Sequence, residues 1–98
     1  MPTLRIEHPT QDFATWKAAF DRDPVDRRGS GVLRYSIYQP IGDPGYVLID
    51  LEFETVAQAE SLLAAMKGVW GSGAAGPALR GAPRTQILHT MEATELVP

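Results

Sequence analysis

Hydrophobic and polar residues divide this chain into six regular segments. Four segments alternate apolar with polar side chains, which is the period of a half-buried strand. They cover residues 3–8, 32–39, 46–54 and 84–91. Two other segments repeat their apolar residues every three or four positions, which is the period of an amphipathic helix. The predicted order of elements is therefore β-α-β-β-α-β.

The first predicted helix has a clear start and a clear end. Asp12 precedes it and can accept a hydrogen bond from a backbone N–H of the first turn. Its apolar stripe consists of Phe13, Trp16 and Phe20. Pro24 ends it, because a proline disfavours the helical conformation of the residue before it.

The second predicted helix opens with a capping box. Thr55 can accept from the backbone N–H of Gln58, and the Gln58 side chain can reach back to the backbone of Thr55. Apolar residues then follow at steps of three and four: Val56, Ala59, Leu63, Met66 and Trp70. Gly68 and Gly71 are the candidate ends of this helix.

These elements predict one α+β domain over residues 1–98, folded as a ferredoxin-like sandwich. Residues 40–45 are rich in proline and glycine and too few for a crossover helix, so the second and third strands form an antiparallel hairpin. We expect a four-stranded antiparallel sheet in the order 4-1-3-2, with both helices on one face. Residues 24–31 form a polar connection.

The two faces of this sheet differ in character. The face toward the helices forms the predicted core, to which the second strand contributes Leu33, Tyr35 and Ile37. The opposite face is amphiphilic, and it carries Arg5, Glu7, Arg34, Tyr38, Leu48, Asp50 and Glu52. We expect this sheet face to form a homodimer with ion pairs inside the contact, and a solvent-exposed face is the alternative.

Composition excludes several functional classes. The net charge is -3, and the single basic doublet, Arg27-Arg28, is offset by Asp23 and Asp26, so we expect no nucleic-acid partner. The absence of cysteine excludes disulfides, zinc–thiolate sites and thiol nucleophiles. No apolar stretch approaches the roughly 20 residues of a membrane span, and no signal-peptide pattern is visible. We expect a cytoplasmic protein with no membrane partner.

Several segments carry a resemblance to a known superfamily. They are residues 3–8, Asp12-Phe13 with Trp16-Lys17 and Phe20-Asp21, residues 46–53, and Thr55-Val56-Ala57-Gln58-Ala59. This pattern resembles the dimeric α/β-barrel superfamily, and within it the antibiotic-biosynthesis-monooxygenase-like proteins. The resemblance implies a homodimer whose two sheets form a barrel, with a pocket between each sheet and its helices.

Members of that superfamily include cofactor-independent oxygenases of aromatic polyketides, haem-degrading enzymes and muconolactone isomerase-like enzymes. The haem-degrading branch uses an Asn near the first strand, with a Trp and a His in the second half. This chain contains no Asn, and its second helix contains no His, which argues against that branch. Because the fold supports many functions, the resemblance alone implies no particular reaction.

His8 is the candidate catalytic residue, at the end of the first strand and on the face toward the helices. Because imidazole titrates near neutrality, a histidine there could deprotonate an enolic or phenolic substrate. A hydrogen-bonded histidine at a strand end is the structural alternative. Trp16, Tyr35 and Trp70 could line a ligand pocket beside it, although aromatic residues on such stripes also form ordinary core.

The two histidines are not expected to form a metal pair. If the first and last strands are antiparallel and roughly aligned, residue 8 faces about 86 and residue 89 faces about 5. His8 and His89 would then be ~10 Å apart at the rise of a strand. No third ligand is evident, and we expect neither a metal nor a cofactor.

Two further patterns in the sequence have simpler interpretations than a functional site. Gly71-Ser72-Gly73-Ala74-Ala75-Gly76 matches G-x-G-x-x-G, but a dinucleotide site requires that turn between a strand and a helix. Here the turn follows a helix, so it is interpreted as a connector, with a flap over the pocket as the functional alternative. Pro2 would be a secondary amine after removal of Met1, as in tautomerases, but those proteins resume with a parallel strand where this chain predicts a hairpin.

The sequence therefore predicts a homodimer that binds a small hydrophobic or aromatic molecule, and the resemblance implies cofactor-independent monooxygenase or isomerase activity. In this hypothesis His8 is the base, and Trp16, Tyr35 and Trp70 shape the pocket. A non-catalytic binding or structural dimer is the alternative, and a tautomerase that depends on Pro2 is a minor one.

Overall fold

The computed structural model describes residues 1–73 and 80–97. Its elements are β1 (Pro2–Pro9), α1 (Phe13–Asp21), β2 (Arg34–Tyr38), β3 (Tyr46–Glu52), α2 (Val56–Gly71) and β4 (Arg84–His89). The predicted order of elements is confirmed. Most of the segment interpreted as a connector or flap, residues 74–79, lies outside the described residues. Within the described ranges, neither helix is long and apolar enough to cross a membrane.

The four strands form one antiparallel sheet in the order β2-β3-β1-β4, which confirms the predicted order. β1 occupies a central position, where Leu4 lies opposite Leu51 of β3 and Ile87 of β4. Both helices pack on the face that carries these three residues. The chain therefore has a ferredoxin-like α+β fold.

The register of β4 differs from the expected alignment. Arg5 is opposite Gln86 rather than residue 89, and His89 is opposite Pro2, so the strand is displaced by three residues. An odd displacement exchanges the two faces of a strand. Ile87 lies opposite Leu4 on the helix side, where it is partly buried against the core. Burial of this isoleucine explains why the observed register is preferred.

Both helices begin at the predicted cap residues. The Asp12 carboxylate accepts the Thr15 backbone N–H at 2.7 Å and the Thr15 hydroxyl at 2.9 Å, and these bonds lower the pKa of Asp12. Thr55 accepts from the Gln58 backbone at 3.2 Å, while the Gln58 side chain accepts from the Thr55 backbone at 3.1 Å. The capping box is therefore confirmed, and α2 ends at Gly71, one of its two candidate ends.

The core lies between the helices and the sheet. Its buried hydrophobic residues are Leu4, Ile6, Trp16, Val47, Ile49, Leu51, Phe53, Ala59 and Leu62. In α2 the fully buried leucine is Leu62, whereas Leu63 of the predicted stripe is only partly buried. Leu33 and Tyr35, expected in the core, are 54% and 44% exposed, because they lie on or beside β2, an edge strand. Only Ile37 of that strand packs against the core.

The opposite face of the sheet, here called the back face, carries ion pairs across its strands. Arg5 donates two hydrogen bonds to Asp50, at 2.8 and 2.9 Å. Arg34 lies 3.1 Å from Glu52. The Tyr46 hydroxyl donates to Glu7 at 2.6 Å, and this bond raises the pKa of Tyr46. The amphiphilic face predicted from the sequence is therefore present, with its charges paired between neighbouring strands.

Candidate ligand cavity

A cavity of about 70 Å³ lies between the sheet and the two helices. Its lining residues are Ile6, His8, Trp16, Ala19, Phe20, Pro24, Val25, Arg27, Ile49, Leu51, Leu62, Met66, Val69 and Trp70. Almost all of these are apolar. Apart from the indole N–H groups, the polar side chains on the wall are His8 and Arg27. The volume exceeds the roughly 10–15 Å³ that one ordered water requires.

His8 is held in one orientation by two hydrogen bonds. It is 2% exposed, its Nε2 lies 3.0 Å from Trp16 Nε1, and its Nδ1 lies 2.8 Å from the Pro9 carbonyl oxygen. An indole N–H can only donate, so Nε2 must be the acceptor and the ring proton must be on Nδ1, which donates to Pro9. His8 is therefore a neutral imidazole of defined tautomer.

Burial lowers the pKa of His8, and the hydrogen bond to the Pro9 carbonyl partly opposes this effect. Protonation of Nε2 would also place two N–H donors, those of His8 and Trp16, against each other at 3.0 Å. Both effects favour the neutral ring. The cavity wall thus presents an uncharged histidine whose only lone pair is already occupied by the indole.

Aromatic rings continue from His8 along one side of the cavity. The Trp16 ring stacks on Phe20 with centroids 5.0 Å apart. Phe20 in turn meets the edge of Tyr35 at 5.1 Å, and the Arg27 guanidinium lies 3.8 Å from the Phe20 centroid. These contacts form an aromatic wall that has a histidine at one end and an arginine at the other.

The connection after α1 positions Arg27. Asp23 adopts a left-handed backbone with φ of 53°, and its carboxylate accepts the Arg27 backbone N–H at 2.9 Å. The Arg27 side chain donates from Nη1 to the Phe20 carbonyl oxygen at 2.7 Å. The sequence predicted only a polar connection here and missed Arg27. The one available signal was a basic doublet immediately after the predicted helix.

The structure brings three of the four predicted site residues to one cavity. His8, Trp16 and Trp70 line it, whereas Tyr35 is half exposed on β2 and lies behind two lining residues, Phe20 and Arg27. The role of each as a ligand or catalytic residue stays a prediction.

The other candidate residues, His89 and Pro2, lie outside the lining of this cavity. His89 is exposed on β4 opposite Pro2, about 20 Å along the sheet from His8 at the rise of a strand. The sequence predicted about half of this distance, and the three-residue shift of β4 accounts for the difference. Within residues 1–73 and 80–97 no group of acidic or histidine side chains could hold a metal ion. Pro2 is buried, and its carbonyl oxygen accepts from Phe53 at 3.0 Å, which argues against a tautomerase base.

No family model matches the chain, and no curated protein matches it. Several solved structures do match its fold. A monooxygenase of Streptomyces coelicolor, in complex with the ligand nanaomycin D, has a TM-score of 0.68 and 12% identity; the match covers 98% of this chain and 92% of that one. The chain also has the fold of solved antibiotic biosynthesis monooxygenases, among them a putative one from Nitrosomonas europaea. The resemblance inferred from the sequence is therefore confirmed for the fold.

Two other structures share this fold. A protein of unknown function from Nitrosomonas europaea has a TM-score of 0.70 at 14% identity, over 99% of this chain and 95% of that one. A dimeric ferredoxin-like protein from an uncultured marine organism has a TM-score of 0.64 at 16% identity, over 94% of this chain and 97% of that one. At these identities the similarity establishes the fold, whereas the ligand and the reaction depend on the cavity itself.

Proposed function

We propose that this protein is a homodimer that binds a small, planar aromatic molecule in the cavity between the sheet and the helices. The observation that carries this proposal is the composition of the cavity wall. Rings of Trp16, Phe20 and Trp70 supply flat apolar surface, and His8 supplies a fixed polar group. Pockets of this type, apolar with a few oriented polar groups, are typical of small-molecule sites.

The binding proposal can be tested with 2-naphthol as a planar probe. Both tryptophans of the chain line the cavity, so a bound naphthyl ring is expected to quench the intrinsic fluorescence saturably. Ala19 lines the cavity, whereas its neighbour Ala18 is exposed on the same helix. We expect Ala19→Leu to weaken binding by about tenfold or more by filling the site, and Ala18→Leu to leave the affinity unchanged. Equal affinities for the two variants would refute the cavity as the binding site.

A catalytic role for His8 is the second part of the proposal. A neutral imidazole can accept a proton from a phenolic or enolic ligand at Nε2, which gives imidazolium and an electron-rich phenolate or enolate anion. The Trp16 hydrogen bond occupies that lone pair, so the indole must first be displaced by the ligand. The same hydrogen bond favours the alternative, in which His8 only orients a bound molecule and the protein is a non-catalytic binder.

The ionisation state of bound 2-naphthol distinguishes these alternatives. A base at His8 is expected to lower the pH at which bound 2-naphthol gives the absorbance of naphtholate, relative to the free probe, and His8→Gln is expected to abolish this shift while binding persists. Bound probe that ionises no more readily than free probe in the wild type would eliminate the proton-accepting role and leave the binding role intact.

The homodimer is proposed to form through the back face. Tyr38 is 50% exposed there, next to Leu48 and the paired charges. We expect Leu48→Asp to produce monomers, because it places a further carboxylate directly opposite Glu7 and two residues from Asp50, on an apolar contact. Ile41→Asp, at a fully exposed turn, is the matched control and should leave the mass unchanged in light scattering. A wild-type monomer would contradict the proposal.

A further inference from the structure

Arg27 is the one cationic side chain on the cavity wall among the described residues. Its side chain is 16% exposed, so it is largely removed from bulk water. A cation at the rim of an otherwise apolar cavity requires an explanation, because a leucine or methionine would pack there without a desolvation cost. The contacts of the guanidinium show which of its hydrogen-bond donors remain for a ligand.

Contacts on one side of the Arg27 guanidinium fix its orientation and leave its other edge, which carries Nε and Nη2, without a hydrogen-bond partner among the described residues. One nitrogen, Nη1, donates to the Phe20 carbonyl oxygen at 2.7 Å and lies 3.3 Å from Asp23. The guanidinium carbon lies 3.8 Å from the Phe20 ring centroid and 5.2 Å from that of Tyr35. Neither Nε nor Nη2 donates a hydrogen bond to any residue within the described ranges. Two donors on one edge therefore remain for a ligand.

The backbone before Arg27 adopts two sparsely populated conformations to achieve this placement. Asp23 and Asp26 both have positive φ values, 53° and 50°, in a region that aspartate tolerates better than most residues but that is still unfavourable. The Asp23 carboxylate accepts from the Arg27 backbone, and the Asp26 carboxylate accepts from Gly29 at 3.2 Å. These hydrogen bonds fix the backbone of the turn at Arg27 and therefore restrict where its side chain can lie.

Positive charge exceeds negative charge around the outer side of Arg27. A surface pocket adjoins it, and its charged lining residues are Asp23, Arg27, Arg28 and Arg34. Glu52 neutralises Arg34 from 3.1 Å, and Asp23 partly neutralises Arg27. Arg28 has no such acidic partner among the described salt bridges. The rim is therefore cationic in a protein whose net charge is -3, which favours an anion there.

We propose that the ligand of this cavity is an aromatic carboxylate, with its ring against the aromatic wall and its carboxylate on the free edge of Arg27. This inference rests on the proposed binding function and names the chemical class of the ligand. The planar fork of a guanidinium matches the two oxygens of a carboxylate, whereas a neutral ring substituent would leave the Nε and Nη2 edge of Arg27 without a charged partner.

Isothermal titration with two matched probes tests this assignment. 2-Naphthoate and 2-naphthamide have the same ring and nearly the same shape, but only the first is an anion at neutral pH. We expect the wild type to bind naphthoate about tenfold more tightly than naphthamide, and this preference to decrease with added salt. Arg27→Gln should remove the preference. Arg27→Lys should retain part of it, since the charge remains without the fork.

Arg22→Gln is the matched control, because it removes an exposed arginine at the end of α1 that is not among the described lining residues of this cavity. It should keep the full preference. Equal wild-type affinities for the two probes would overturn the carboxylate assignment and leave the binding function standing, and a preference that survives in a folded Arg27→Gln variant would overturn the role of Arg27. If neither probe binds, the proposed function fails, and this inference fails with it.

Discussion

The two faces of the one sheet use polar groups in opposite ways. On the helix side, His8 and Trp16 form a single neutral hydrogen bond that is closed off from water. On the back face, Arg5 and Asp50 form a charged, doubly hydrogen-bonded pair that is still 39% and 16% exposed. By geometry alone the ionic pair is the stronger interaction.

The effect on stability when one partner is lost has the opposite order, because the two pairs differ in their exposure to water. In the buried His8–Trp16 pair the remaining group has no replacement partner, whereas water replaces a lost partner at the surface. The comparison therefore implies that the stability of this protein resides on the helix side, and that the ion pairs of the back face contribute little to it.

Truncation of the core should show the largest effect. Phe53 is fully buried, and we expect Phe53→Ala to reduce the free energy of unfolding by about 3–5 kcal/mol, through lost burial and the cavity left behind. Ile41→Ala at the exposed turn is the control and should change it by less than about 0.5 kcal/mol. Urea denaturation measures both. A loss below about 1 kcal/mol for Phe53→Ala would contradict the placement of the core.

A double-mutant cycle isolates the buried hydrogen bond. His8→Leu and Trp16→Phe each leave an unsatisfied polar group, whereas the double variant removes both groups together. We expect a coupling energy of about 1–3 kcal/mol between the two substitutions. It should not change with salt, because neither group is charged. Additive effects of the two single variants would show that the bond contributes nothing to stability.

The buried histidine should also make stability depend on pH. Burial lowers the pKa of His8 below its ordinary value of 6.5, so between these two values the unfolded chain binds the extra proton. Stability is therefore complete above about pH 6.5 and decreases as the pH falls below it, with a slope of at most about 1.4 kcal/mol per pH unit.

Chemical denaturation between about pH 5 and 8 measures this slope. His8→Gln, which keeps an acceptor for the indole but does not titrate, should flatten it, and His89→Gln is the control that should not. Asp12 affects stability only at lower pH, since its lowered pKa lies below 3.8. A wild-type slope that survives in His8→Gln would assign the pH dependence to another group.

The ion pair of the back face should show the smallest effect. In the monomeric variant Leu48→Asp, a cycle of Arg5→Ala and Asp50→Ala should give a coupling energy of about 0.2–1 kcal/mol that decreases in high salt. The same cycle in the dimeric wild type should give a larger coupling that resists salt, because the proposed dimer shields this face from water, and equal couplings in the two backgrounds would contradict that contact.

Local patterns in the sequence predicted most of the fold. These patterns are the capping residues Asp12 and Thr55, the alternation in the strands and the short hairpin connection. Each acts within a few residues, so its structural effect does not depend on tertiary packing. The register of β4 could not be predicted in this way, because alternation with a period of two defines the faces of a strand but not its alignment with a strand distant in the sequence. Burial of Ile87 decides that alignment, and burial is a property of the assembled core.

The candidate site was predicted in part for the same reason. His8 and Trp16 lie on apolar stripes that had to face each other, so their proximity followed from the fold. Their hydrogen bond did not, because it depends on side-chain orientation across a strand and a helix. Arg27 was missed because its position arises from two left-handed aspartates, a conformation that no periodic pattern encodes.

The central place of β1 also has a consequence for how the protein is made. This strand, synthesised first, pairs on one side with β4, which leaves the ribosome some eighty residues later. Until then, one full edge of β1 has no partner and the growing chain holds an incomplete sheet. Sheets closed by such distant strands fold slowly. Nascent chains that stop before β4 should therefore be the form most prone to aggregation during synthesis.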